Sequence, residues 1–471
     1  MSKVKPYSNY SDFKQKWLGE LPSHWHVMRT KLLFDLITEP APVGNSEELL
    51  SVYTALGVKP RKELEARGNK ASSTDNYWRV KKGDVIVNKL LAWMGAIGIS
   101  EYDGVTSPAY DILRPKENVN PYFYNFLFRN PIASREFKRH SRGIMDMRLR
   151  LYFTRFGDIK LPLPPIEEQD KIVKFLKFKL TKIDRFIGKK KKLIKLLNEQ
   201  KAVTINQAVT KGLDSTVKMK PSGIEWLGNI PENWDIRKLK SIVSTKITDG
   251  PHETPQFVEN GIPFLSAEAV NSDGTLSFEN KRAYISKELH TLYSNKCKPQ
   301  FDDVFIVKSG STTGKIGYVS VKCDFNIWSP LALVRTKKEL ISGEYAFRSL
   351  QAEYFQSQVK TSWSFGTQPN IGMGVLENLF IVIPGSFNEQ AEILQFINDE
   401  ASIINTTIST IEKEIALTQE YRTALIAEAV TGKIDVRAFV IPTVSEQEEL
   451  YDEIEEELDM VAEDAESYEN E

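Results

Sequence analysis

The chain carries two cysteines in 471 residues, Cys297 and Cys323. That is too few for a disulfide framework or a paired-cysteine metal site. Its five histidines (His24, His26, His140, His252, His290) are dispersed and form no His-Glu-x-x-His motif, so no metal centre is read. No run of 18 apolar residues occurs, and the first thirty residues lack the apolar stretch of a secretory signal. The expectation is a cytoplasmic chain that engages no membrane.

Catalytic signatures are also scarce. The glycine-rich fingerprint of a dinucleotide fold is absent. An amino-methyltransferase needs Asn or Asp before Pro-Pro and an aromatic to grip the flipped base; Leu163-Pro164-Pro165-Ile166 offers neither. The nearest string is Ser309-Gly310-Ser311-Thr312-Thr313-Gly314-Lys315-Ile316. A Walker A loop needs four residues between its glycines and Ser or Thr after the lysine, whereas this loop has three, followed by Ile316. It reads instead as a turn offering N–H groups and Lys315 to a DNA phosphate. The expectation is a chain with no catalytic residues, metal or cofactor of its own.

What the sequence does have is charge, unevenly placed, and a repeat. The net charge of -1 conceals a segment, 446–471, with 14 acidic and no basic residues. The rest holds 62 Lys+Arg against 49 Asp+Glu, or +13. The acidic end (437–471) reads as a solvated, disordered tail, and the basic remainder suits a polyanion.

Trp17-Leu18-Gly19-x-x-Pro22-x-x-Trp25 returns as Trp226-Leu227-Gly228-x-x-Pro231-x-x-Trp234. Glu168-Gln169 returns as Glu389-Gln390, and Ala208-Val209-Thr210 as Ala429-Val430-Thr431. The offset is 209 residues at the tryptophan motif and 221 at Glu-Gln, so the second intervening block is 12 residues longer. Short apolar runs such as Val85-Ile86-Val87 and Val304-Phe305-Ile306-Val307, punctuated by Gly, Pro and Asn, predict α+β blocks. Lys82-Gly83-Asp84-Val85 answers Phe301-Asp302-Asp303-Val304 inside them. The expected boundaries are a first block at 1–165, a helix at 166–214, a second block at 215–387, a helix at 388–436, then the tail.

Each helix carries a coiled-coil seam at alternating spacings of three and four. The first seam is Val173, Leu176, Leu180, Ile183, Ile187, Lys190, Ile194 and Leu197. The second is Leu394, Ile397, Ala401, Ile404, Ile408, Ile411, Ile415 and Thr418, each 221 residues from its counterpart. Residues 166–208 hold 12 basic and 5 acidic residues, and residues 388–430 hold 2 and 8. Like charges disfavour self-pairing, so the helices should pair with each other. Since the second block leaves one helix end and returns to the next, the pair should be antiparallel. The expected object is a pseudo-twofold repeat, two globular domains separated by a two-helix coil roughly 65 Å long at 1.5 Å per residue.

The candidate binding residues are basic or amide-bearing. In the first block they are Lys59, Arg61, Lys62 and Lys89, with Arg67 and Lys70 extending one stretch and Arg135, Lys138, Arg139, Arg142, Arg148 and Arg150 forming another around Gly143. In the second they are Thr248, His252, Lys308, Ser309, Thr312, Thr313, Lys315, Gln368 and Asn370. Arg and Lys suit guanine edges and phosphates, Gln and Asn suit adenine edges. The residues alone leave open a coiled-coil scaffold with two protein-binding domains and no DNA role, or an enzyme with an unrecognised site.

These motifs together resemble the specificity subunit of type I restriction-modification systems, up to about residue 436. The carriers are the duplicated tryptophan motif, the Glu-Gln helix entries after Pro164 and Pro384, and the Ala-Val-Thr exits. Asp249-Gly250-Pro251-His252-Glu253-Thr254-Pro255 with Gly261-Ile262-Pro263-Phe264-Leu265 is similar to a common target recognition domain. The resemblance implies a non-catalytic reader of double-stranded DNA, with one target recognition domain per half of a split, asymmetric target. It also implies docking of two modification subunits that carry S-adenosylmethionine and methylate adenine at N6. Restriction subunits that use ATP and Mg would join for translocation and cleavage. The acidic tail and Lys190 within the seam depart from the family pattern.

Overall fold

The computed structural model describes residues 5–63, 74–143, 149–224, 226–365 and 369–440. The chain forms two compact units, residues 1–191 with 411–471 and residues 192–410. The cut falls within both long helices, so each unit takes one globular block and half of each helix. The sequence boundaries, drawn at the helix ends, therefore differ from the packing units.

In the first unit, β1 (Phe34–Ile37), β2 (Val85–Asn88), β3 (Ile97–Ile99) and β4 (Tyr110–Pro115) form an antiparallel sheet in the order β1-β4-β2-β3. Every β2 residue is buried, as expected of an unbroken apolar run covered on both faces. Helices α1 (Pro121–Phe128) and α2 (Pro131–His140) follow. Each begins with an asparagine cap and proline at the first turn: Asn120 accepts from the Tyr122 N–H and Asn130 from the Ile132 N–H. Proline lacks only a donor that would be orphaned there anyway. Edge-to-face contacts among Phe128, Phe137 and Phe156 pack α1 and α2 into the core. His26–Arg29 pairs with Lys160–Leu163, which brings the block's start beside its end. There α3 (Ile166–Lys211) begins.

The second unit repeats this plan. Its strands β5 (Thr248–Asp249), β6 (Val304–Val307), β7 (Ile316–Tyr318) and β8 (Leu331–Val334) lie in the equivalent order β5-β8-β6-β7. Helices α4 (Gly343–Gln351) and α5 (Glu353–Thr361) follow, and Asp235–Lys238 pairs with Phe380–Ile383 ahead of α6 (Phe387–Val430). A buried aspartate before the second strand of each sheet takes a forked arginine: Asp84 from Arg114, Asp303 from Arg335. That pairing explains the Lys82–Val85 and Phe301–Val304 correspondence, since a buried carboxylate needs a geometrically matched partner. The inserts differ. The first unit adds two-stranded ladders, Leu50–Tyr53 with Gly57–Pro60 and Trp78–Val80 with Gly104–Thr106. The second adds a mixed four-stranded sheet that contains Ile262–Leu265, and helix Lys287–Lys296.

Within each unit the two long-helix segments run antiparallel. In the first, Lys190 pairs with Glu414 at 2.8 Å and Asp184 with Arg422 at 3.4 Å. In the second, Lys201 donates to Asn405 at 2.9 Å, and Ile205 and Val209 share a core with Ile397 and Ile393. Seam residues Val173, Leu176, Leu180, Ile183 and Ile187 are buried, as are Ile397, Ala401, Ile404 and Ile411. Leu394, Ile408, Ile415, Ile194 and Leu197 are half-buried. Lys190, the polar interruption, is held by its ion pair and lies 5.1 Å from the Phe186 ring. The start of the expected tail is anchored rather than free: Lys171 donates to the Arg437 carbonyl, and Phe439 packs on Phe175 and Phe178, while the Arg437 and Ala438 side chains are exposed. The remainder of the expected tail, 441–471, lies outside the described residues. Among the described residues, no helix is long and apolar enough to cross a membrane.

Candidate nucleic-acid interface

The repeated motifs meet at one frame in each unit. In the first, buried Trp25 donates its indole N–H to Glu168 at 3.0 Å; in the second, Trp234 donates to Glu389 at 2.6 Å. Glu168 also accepts from the Tyr7 hydroxyl and contacts His24. Burial, with the adjacent Glu168 charge, pushes the Tyr7 phenol far above its ordinary range. The neighbouring glutamine serves the first helix after the sheet. Gln169 accepts from the N–H of Asn120, the cap of α1, and Gln390 accepts from the N–H of Ser342, the cap of α4. The other long helix closes the frame on a left-handed glycine, Gly432 against Pro22 and Trp25, Gly212 against Trp234. Sequence reading found all these motifs but not that the tryptophan and glutamate bond to each other. Their shared register in both repeats was the available signal.

A hairpin follows the two helices of each block. In the first unit Arg142 and Arg150 bridge across it, and the next N–H, of Leu151, donates to the Lys89 carbonyl at 2.8 Å. In the second, Ser364–Phe365 pairs with Pro369–Asn370, and the Ile371 N–H donates to the Lys308 carbonyl at 2.8 Å. Both hairpins thus root at the end of the second strand of the main sheet. Around the first root, Arg142, Arg150, Leu90, Leu91, Met94 and Tyr152 are exposed. Cations beside exposed apolar and aromatic groups form a surface suited to phosphates and to base edges, including the thymine methyl.

A model of the Type I restriction modification DNA specificity domain matches residues 22–198 and 231–417. The chain belongs to this family. It is 25% identical over 451 residues to the Type I restriction enzyme MjaVIII specificity subunit of Methanocaldococcus jannaschii, spanning 92% of this chain and 98% of that one. It is 23% identical over 285 residues to the EcoBI specificity subunit of Escherichia coli, 59% of each. A chain from a solved structure on complex assembly and conformational transition of the type I R-M system shares the fold. Its TM-score is 0.64 at 16% identity, covering 88% of this chain and 99% of that one.

Within this type I specificity chain the candidate residues have distinct fates. Lys308, Ser309, Thr312, Thr313 and Lys315 come together with Asn370: Ser309 bridges Asn370, the Gly310 N–H donates to the Pro369 carbonyl, and the Thr313 hydroxyl lies between the Gly310 and Pro369 carbonyls. The turn after β6 is thereby locked to the hairpin. Thr248 and His252 join through Asp249, which pairs with Lys308 at 3.2 Å, Lys296 at 2.8 Å and His252 at 3.0 Å. Burial raises the Asp249 carboxyl, but the Lys296 and Lys308 ammoniums outweigh it and hold the group below its ordinary value.

Three of the candidate DNA-binding lysines therefore already have protein partners. Lys308 faces Asp249, Lys315 donates to the Val270 carbonyl at 2.9 Å, and Lys89 pairs with Asp111 at 3.2 Å and donates to the Pro108 carbonyl. In the first block, Lys59 lies against Tyr102 and Lys62 pairs with Glu48. Arg61 is half-buried, and its N–H donates to the Leu49 carbonyl. Arg67, Lys70, Arg148 and Gln368 lie outside the described residues. Arg142 and Arg150 are the exposed cations at a hairpin root, and Arg150 donates to the Tyr152 hydroxyl at 3.3 Å.

Proposed function

We propose that the chain is a non-catalytic DNA reader whose two globular blocks each recognise one half of a bipartite, asymmetric target in double-stranded DNA. The supporting observation is a division within the repeat. The Trp–Glu contact, the glutamine on the helix cap, the glycine closure and the four-strand order recur in both units. The inserted ladders and sheet do not, and the hairpins, though rooted alike, differ in sequence. A frame that recurs offers equivalent surfaces to two copies of one partner, and elements that diverge read different bases. The partners are two modification subunits that bind S-adenosylmethionine and methylate adenine at N6, with restriction subunits using ATP and Mg for cleavage.

Replacing residues 26–160 with the corresponding block of another family member tests this reading. Methylation mapping should show one half of the target changed and the other retained; change in both halves would sink it. Deleting matched heptads from α3 and α6 should alter the spacer between the halves, and an unaltered spacer would remove the ruler role. A protein-only scaffold would show no salt-dependent DNA binding. Methyl transfer by the purified chain supplied with S-adenosylmethionine would make it an enzyme instead.

A further inference from the structure

The two blocks expose different chemistry at one register-equivalent turn. In the first, Lys89 just after β2 and Gly95 before β3 bracket Leu90-Leu91-Ala92-Trp93-Met94. In the second, Lys308 and Gly314, each 219 residues on, bracket Ser309-Gly310-Ser311-Thr312-Thr313. The brackets fold alike. Gly95 and Gly314 are both left-handed, at φ +87° and +94°. The Asn88 N–H donates to the Ala96 carbonyl, and the Val307 N–H to the Lys315 carbonyl. Each turn adjoins its hairpin root, because the Lys89 and Lys308 carbonyls hold the hairpins. Length and frame are constant while all five side chains between them change, so making the turn does not require the apolar set.

What the first turn presents outward is apolar. Leu90 is 39% exposed, Leu91 40% and Met94 53%. Polar groups of this turn are engaged within the protein. The Leu90 N–H donates to the Asn88 side chain, the Leu91 N–H to the Asn88 carbonyl and the Met94 N–H to the Leu91 carbonyl. The Trp93 indole N–H donates to the Leu90 carbonyl at 3.1 Å. A single exposed leucine is ordinary, but three large apolar side chains on one five-residue turn form a patch. Cations rim it: Lys138 of α2 lies 4.8 Å from the Trp93 ring, and Arg142 and Arg150 are exposed at the hairpin root. An occupant that complements both the rim and the patch carries anionic groups beside apolar ones. In the major groove of DNA the phosphates flank one such group, the C5-methyl of thymine. At the second turn Ser311 is exposed instead, and a hydroxyl serves donors and acceptors on base edges alike.

We propose that Leu90, Leu91 and Met94 are specificity-determining residues that read thymine C5-methyl groups in the half-target of the first block. The second block, with Ser311 in the same place, reads its half by hydrogen bonds. This inference rests on the chain being a DNA reader, and it adds the chemical group that one half of the reader selects.

Replacing thymine by deoxyuridine removes the methyl and keeps the pairing edge, so it isolates this contact. The full chain, with any partner subunits that copurify, would be titrated with duplexes of its mapped target carrying uracil in one half at a time. Uracil in the first half should weaken binding by about four-fold for each contacted thymine, the value for taking one methyl out of apolar contact. The same exchange in the second half should matter less. Leu90→Ser, Leu91→Ser and Met94→Ser together should abolish the preference for thymine over uracil and leave the salt dependence of binding unchanged, since Arg142 and Arg150 remain. Met94→Leu should retain the preference. An unchanged urea midpoint in the serine variant separates lost contact from lost folding. Indifference to uracil with ordinary salt-dependent binding would overturn the methyl contact and leave the DNA reader standing; it is also what a side-chain wedge between base pairs would give. A uracil effect that survives the serine changes, a larger effect in the second half, or a first half-target without thymine would overturn it as well. Absence of any DNA binding would remove the reader and this contact together.

Discussion

Substituting alanine for the glycine that ends each long helix separates a backbone cost from a packing cost. Gly432 has φ +67°, and a Cβ built there falls 2.4 Å from Pro22 Cδ and 3.0 Å from the Trp25 ring. Gly212 has φ +73°, with its nearest neighbour, in the Trp234 ring, at 3.3 Å. Gly228, in the second tryptophan motif, has φ +67° and nothing within 4 Å. All three share the left-handed penalty of a residue with a Cβ, about 1 kcal/mol. At Gly432 the neighbours are a proline ring and a tryptophan that is buried and bonded to Glu168, so neither yields, and overpacking adds about 1–3 kcal/mol. The expected order is about 1 kcal/mol for Gly228→Ala, 1–2 for Gly212→Ala and 2–4 for Gly432→Ala. Urea unfolding of the full chain followed by tryptophan fluorescence reads these as midpoint shifts at constant slope. If Gly432→Ala cost no more than Gly228→Ala, the contact of the α6 exit with the tryptophan motif would not be part of the folded frame.

Three further outcomes follow from the geometry. Glu168→Ala strands the Tyr7 hydroxyl and the buried Trp25 N–H, whereas Glu389→Ala strands chiefly the Trp234 N–H. Unfolding should therefore show losses of about 2–5 and 1–3 kcal/mol, and equal losses would deny Tyr7 its role. Asp249 has a folded pKa below its unfolded value, so its contribution is complete above about pH 4 and is lost as pH falls through the lower folded value. Asp249→Asn should flatten the acid limb of the stability profile in that window; a profile identical to the native one would discount the Lys296 and Lys308 pairs. Replacing Arg142 and Arg150 by alanine should lower the slope of log affinity against log salt by up to about 2, and an unchanged slope would take this hairpin root off the phosphate backbone.

The helices and their pairing were legible because a seam is a local pattern and charge balance selects its partner. The heptads and the net charges of +7 and -6 pointed to antiparallel pairing, and Lys190 with Glu414 shows how the one polar seam residue is accommodated. The candidate interface was legible only by composition. Lys89, Lys308 and Lys315 look alike in sequence as cations near glycine turns, but their partners, Asp111, Asp249 and the Val270 carbonyl, stand 22, 59 and 45 residues away. Which lysine faces solvent depends on such tertiary pairs. The rooting of the hairpins on the Lys89 and Lys308 carbonyls has no side-chain signature at all, because it is made by backbone. The unit boundary was hidden for a related reason: a continuous helix carries no mark where its contacts pass from one core to another.

The equivalent lysines also bear on how deep the divergence of the two blocks goes. Lys89 and Lys308 occupy the same place, at the end of the second strand, and each offers its carbonyl to the hairpin. Their ammoniums nevertheless go to different strands: Asp111 lies on the fourth strand of its sheet, and Asp249 on the first strand of its own. The electrostatic outcomes differ as well. Burial outweighs Lys89 and lifts the Asp111 carboxyl above its ordinary value, while two lysines pull Asp249 below. A change confined to the hairpin would therefore place a new tip on an ion pair selected with the old one. The smallest exchange that keeps each hairpin on its own support is the whole block between the tryptophan motif and the Glu-Gln helix entry. That is the segment bounded by the recurring frame, so a frame held constant permits such blocks to be exchanged without disturbing the Trp–Glu contact or the glutamine on the helix cap.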